Sequence, residues 1–144
     1  IEYIATYNLT KVIILQTMKE KFELEYLLKT SIRVLDNMIG SPSGLSEWFA
    51  DDVTVRDDIY SFEWDGSIEE ARLVQKKMNS KMKFKWLEDE ENGDDYYFEI
   101  NFEVDSMTSA VSLKVIDFSE ADEIESSKML WEQQINDLKR IIGA

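Results

Sequence analysis

The sequence predicts an α+β domain: a seven-stranded antiparallel sheet with one covered face, two short helices after the first strand and a long C-terminal helix. Three observations carry this. The stretch "KFELEYLLKT" (21–30) alternates Phe22, Leu24, Tyr26 and Leu28 with Glu23, Glu25 and Lys29, the period of two expected of a half-buried strand. Six more strand-like runs follow between Val53 and Phe118, punctuated by turns and not by helices. From Ser119 the period becomes helical, with Ile124, Trp131, Ile135, Leu138 and Ile142 on one stripe and Gly143 at its end.

After the first strand, "SIRVLDNMIG" (31–40) puts Ile32, Leu35 and Ile39 on one helical face, with Ser31 as N-cap and Gly40 as stop. "SPSG" (41–44) reads as a break. "LSEWFADD" (45–52) then reads as a second short helix, with Leu45, Trp48 and Phe49 on one face. Two large aromatics on so short a helix suggest a plug over one end of a cupped sheet. Burying one such side chain contributes roughly 1.5–3 kcal/mol.

Turns at Asp57-Asp58, Asp65-Gly66 and Met78-Asn79 join the next four strands, and Asp65-Gly66 is the strongest hairpin signal. "EDEENGDD" (88–95), with six acids and no base, reads as a solvated loop before "YYFEINFEVD" (96–105) and "SAVSLKVIDF" (109–118). Cross-strand charge suggests a register in which Lys85 faces Glu99 and Lys81 faces Glu103. The inner pairs would then be Trp86–Phe98, Phe84–Ile100 and Met82–Phe102. By the same argument Lys114 falls opposite Glu99, Val111 opposite Phe102 and Leu113 opposite Ile100. The outer face is charged, so the helices belong on the aromatic face.

Composition narrows the function. The 144 residues suit one domain with a core. A net charge of −14 argues against nucleic acid as a partner. No apolar run approaches the roughly 20 residues of a membrane span, and the expected location is cytoplasmic. There is no cysteine and no histidine, which removes disulfides, thiolate chemistry and every Ser-His or Cys-His arrangement. No cofactor motif and no metal-ligand constellation is present. The acidic loop lacks calcium-loop spacing.

Residues 1–17, "IEYIATYNLTKVIILQT", hold one acid and one base, unlike the densely charged remainder. They lack the basic start and cleavage site of a signal peptide. They are expected to be an extension that is not native, or an extra strand pairing with a sheet edge, ahead of a domain spanning 18–144.

With these elements in place, the sequence resembles the START-like, helix-grip superfamily of polyketide cyclases and pollen allergens, near the group of heat-shock-chaperone ATPase activators. The resemblance covers Lys19 to Gly143. It rests on the strand ending at Thr30-Ser31, on "SPSGLSEWF", on "FEWDG" and on the closing "LWEQQINDLKRIIG". Asp57-Asp58 stands where the activator group often has glycines. The resemblance implies a helix-grip fold, a curved seven-stranded antiparallel sheet wrapped around the long C-terminal helix, with a cavity between them that the superfamily uses for apolar small molecules, for catalysis in some members and for protein partners in others.

The expected function is therefore non-catalytic binding of an apolar or amphipathic, lipid-like molecule. The candidate lining is Trp48, Tyr60, Phe62, Trp64, Phe84, Trp86, Phe98, Phe102 and Trp131, with Glu69 as a carboxylate at the pocket edge. The same aromatics could instead simply fill a core. Two alternatives remain. One is a protein-interaction module, with the charged sheet surface or the aromatic plug docking a partner; the basic cluster Arg72, Lys76, Lys77, Lys81, Lys83 and Lys85 could dock an acidic one unless neighbouring carboxylates neutralise it. The other is a cyclase- or hydrolase-type enzyme using Glu69 and Tyr60, for which no activated base is visible.

Overall fold

The computed structural model describes residues 18–144. The expectations for residues 1–17 lie outside the described residues. Strand β1 (Lys19–Leu28) leads into helices α1 (Ile32–Ile39) and α2 (Pro42–Trp48). Strands β2 (Asp52–Arg56), β3 (Ile59–Trp64), β4 (Ser67–Lys77) and β5 (Lys81–Trp86) follow. A short α3 (Leu87–Glu91) precedes β6 (Phe98–Val104) and β7 (Val111–Glu120). A 3₁₀ turn (Ala121–Glu123) then opens α4 (Ile124–Ile142). The seven strands form one antiparallel sheet in the order β1-β7-β6-β5-β4-β3-β2. This is the helix-grip arrangement expected, with Trp131, Ile135 and Leu138 of α4 buried against the sheet.

Local chemistry explains the boundaries. Ser31 Oγ accepts the Val34 N–H at 3.2 Å and caps α1. Ser41 Oγ accepts the Gly44 N–H at 3.0 Å, and Pro42 occupies the first turn of α2. "SPSG" is thus the start of α2 and not a break, because proline is tolerated where no intrahelical N–H bond is made. Gly44 lets the two helices touch: a Cβ there would lie 2.1 Å from the Asn37 carbonyl oxygen. The Asp65-Gly66 hairpin has the expected two-residue turn, with both residues at positive φ and Trp64 paired to Ser67. A bulge between Leu73 and Gln75 interrupts the β4–β5 ladder and bends it.

Two expected registers are corrected. Lys83, not Lys85, faces Glu99, and Phe84 faces Phe98. In the next pair Lys114 faces Asn101, while Phe102 faces Leu113 and Val104 faces Val111. Each expectation was two residues off. A slip of two keeps every side chain on its face, so alternation cannot detect it, and charge does not decide either. In the observed register Lys81 Nζ still lies 3.7 Å from Glu99, and Asn101 donates to Glu99 at 2.9 Å. What favours the true register is the stacking of Phe84 on Phe98, with centroids 4.9 Å apart and planes 17° apart.

The loop expectation for 88–95 is corrected in part. Its first half is α3, and Asp89 is buried, 3.6 Å from Lys19 Nζ. Nor is the outer face wholly charged, for Tyr96 and Tyr97 pack on Phe118 there.

Candidate functional site

The centre of the grip is filled. Phe49, at the C-terminus of α2, has its ring centroid 5.1 Å from Phe62, 5.5 Å from each of Trp48, Trp64 and Trp131, and 5.7 Å from Phe98. Its backbone carbonyl accepts the Trp64 indole N–H at 2.8 Å and the Gln134 amide at 2.9 Å. The lid is thereby tied to β3 and to α4 at one atom. Trp48 donates its indole N–H to the Met38 carbonyl at 2.9 Å, which locks α2 onto α1.

Space remains at one end of the sheet. A cleft of about 800 Å³ opens between the end of α2, the β3–β4 hairpin and the first half of α4. Its apolar walls include Trp48, Phe49, Trp64, Trp86 and Trp131. Carboxylates Glu47, Asp51, Asp65, Glu69, Asp117 and Asp137 rim it. A second cleft of about 560 Å³, against α3, shares Glu69 and Trp86 with the first. Trp86 thus stands between the two, at the point where β5 ends.

The expected site residues divide accordingly. Trp64, Glu69 and Trp86 line the cleft with exposed surface, and Trp48 and Trp131 border it as buried members of the core. Tyr60, Phe62, Phe84, Phe98 and Phe102 are buried in the packed core behind it. Tyr60 and Glu69 do not share a site: burial pushes the Tyr60 hydroxyl pKa up, while Glu69 is exposed on the rim.

Asp117 is the cleft residue that sequence reasoning passed over. Val111, Leu113, Val115 and Asp117 alternate along β7 on the inner face, so an acid in an apolar register was the available signal. Its Oδ2 accepts the Trp131 indole N–H at 2.8 Å and its Oδ1 the Phe118 N–H at 2.7 Å. Burial pushes its pKa up to about 6, opposed by these two hydrogen bonds and by Lys19, with Asp89 adding a further upward push.

The basic hairpin is largely engaged within the chain. Arg72 bridges Asp58 and Glu90, each at 3.0 Å, Lys81 pairs with Glu99, and Lys85 lies 4.0 Å from Asp95. Lys83 sits over the Tyr97 ring, and Lys76 donates to the Gly40 carbonyl. Among the described residues, no group of acids is arranged to hold a metal ion, and no helix is long and apolar enough to cross a membrane.

A sheet closed on a C-terminal helix, with an aromatic cleft at one end, defines a helix-grip domain. Residues 16–144 match the family model of the START-like superfamily domain. The chain belongs to that superfamily. It is similar to a Bacteroides fragilis protein solved by NMR, at 38% identity over 85% of this chain and 90% of that one, with a TM-score of 0.61. Two distant likenesses show the fold alone. The Aha1 dimer of Colwellia psychrerythraea has a TM-score of 0.71 at 12% identity, over 85% of this chain and 96% of that one. A Bacillus halodurans protein has a TM-score of 0.66 at 11% identity, over 85% and 96%. No curated protein matches the sequence.

Proposed function

We propose that this domain binds an apolar or amphipathic small molecule in the cleft between the sheet and α4, without transforming it. The observation that carries the reading is the cleft itself: about 800 Å³, walled by indoles and open at one end of the grip. Ligand sites are commonly concave, largely apolar and roughly 300–1,000 Å³ in volume. In this reading Trp48, Trp64, Glu69, Trp86 and Trp131 meet the ligand. Phe62, Phe84, Phe98, Phe102 and Tyr60 hold that wall rigid from behind. START-like domains commonly bind ligands, which supports the same conclusion.

The interaction-module reading gains no observation of its own, since most of the basic side chains are already engaged and the plug aromatics Trp48 and Phe49 are buried. Native mass spectrometry of gently purified protein tests the proposal. A bound small molecule, or uptake of an added apolar probe, is expected. A protein that comes empty and takes up no apolar probe contradicts it.

A further inference from the structure

We infer that the molecule held in this cleft carries a positive charge, as an ammonium or similar organic cation on an apolar body. This rests on the binding reading above and specifies its ligand. The argument starts from sheet register. On the inner face Glu69 lies directly opposite Phe62. Trp64 is opposite Ser67, and Trp86 is opposite Ala71. Glu69, two residues from each of those β4 positions, is therefore the diagonal neighbour of both indoles. The two rings stand 6.3 Å apart, inclined at 59°; Trp64 stacks one face on Phe62 and Trp86 leans on Phe98, and both are only partly buried and line the cleft with the surface that remains. The Trp64 N–H is already bound to the Phe49 carbonyl, which leaves its π face as the group it offers. Two inclined indole faces with a carboxylate beside them form a recess suited to a cation, because a ring face is the negative pole of its quadrupole.

The charges agree. Lys19, which lines the adjoining cleft, is paired with Asp89, and no lysine or arginine lines this one. Of its carboxylates, Asp137 pairs with Arg140, whereas Glu47, Asp51, Asp65, Glu69 and Asp117 form no ion pair among the described residues. An anionic ligand would enter against all of them. A neutral apolar ligand would desolvate Glu69 and return nothing. A cation replaces the lost hydration and gains both ring faces.

The test uses three probes with one octyl chain and different heads: octyltrimethylammonium, octanol and octanoate. Affinities are read by tryptophan fluorescence and calorimetry at physiological salt, with the probes below their aggregation concentrations. The trimethylammonium probe is expected to bind at least ten-fold more tightly than octanol, and octanoate most weakly. Glu69→Gln is expected to reduce that preference several-fold, by weakening binding of the trimethylammonium probe and, with no carboxylate left to desolvate, by strengthening that of octanol. Glu103→Gln, an exposed acid on β6 away from the cleft, controls for the overall negative field and is expected to change nothing. Equal affinity for octanol and the cation, tighter binding of octanoate, or an equal loss in the Glu103 variant overturns the inference and leaves the binding reading standing. Failure of all three probes to bind removes the binding reading and the inference with it.

Discussion

Phe62 and Phe84 differ from Trp64 and Trp86 by one step along the same face of the same strands. Phe62 and Phe84 are fully enclosed, each with several rings against it. Trp64 and Trp86, two residues further on, are half-buried and border open space. Residue type does not explain the contrast, since all four are large aromatics. What differs is enclosure: Phe62 is surrounded by Phe49, Tyr60, Phe84 and Phe98, and Phe84 by Tyr60, Phe62 and Phe98, whereas Trp64 and Trp86, nearer the open end, keep part of their surface in the cleft. An aromatic stripe on a curved sheet thus passes from closed core to cleft wall toward the ends of the strands.

The contrast sets an order of expected effects. Phe62→Ala removes a ring packed on all sides, and a loss of about 3–5 kcal/mol in denaturant unfolding is expected. A cost below about 1.5 kcal/mol, the range of tolerated core swaps, would mean that the centre is not filled and that the distinction between the two pairs is wrong.

Asp117 lies at the boundary, and its effect is read through pH. Its folded pKa, about 6, is above the ordinary carboxylate value, so the folded state takes the proton more readily than the unfolded one. The protonated form therefore favours the fold at low pH, and that contribution is lost as pH rises from about 4 to about 6. The charged groups acting on it are Lys19 from β1 and Asp89 from α3. Asp117→Asn cannot titrate. Relative to the unsubstituted protein it is expected to gain stability between pH 4 and pH 7, by at most about 3 kcal/mol. A stability difference that stays constant over this range would show that Asp117 is not desolvated.

Much of this was legible in the sequence, for identifiable reasons. Element order, the Asp65-Gly66 hairpin and the α4 stripe depend on local period and turn chemistry, which neighbouring residues fully encode. The β5–β6 and β6–β7 registers were not legible, because a slip of two keeps every residue on its face and still leaves a lysine near Glu99; for β5–β6 it is the Phe84–Phe98 stack that marks the observed alignment. Pro42 was misread as a break because the N-cap bond from Gly44 to Ser41 is a three-dimensional fact. The expected aromatics divide between the packed core and the cleft. Which of them face the cleft depends on enclosure in the folded domain, and no strand pattern carries that. Asp117 was visible as an acid in an inward register, but its meaning came only with the Trp131 bond.

The central claim is that the end of the stripe binds and its middle supports. The most direct measurement compares Trp86→Ala with the unsubstituted protein for stability and for affinity toward an apolar fluorescent probe. Stability is expected to fall by only about 1–2 kcal/mol, since the half-buried indole forfeits a fraction of a full burial, while probe affinity falls at least ten-fold. A loss of about 3–5 kcal/mol, the range for a filled core, with probe binding unchanged, would place Trp86 with Phe84 as packing and contradict the account.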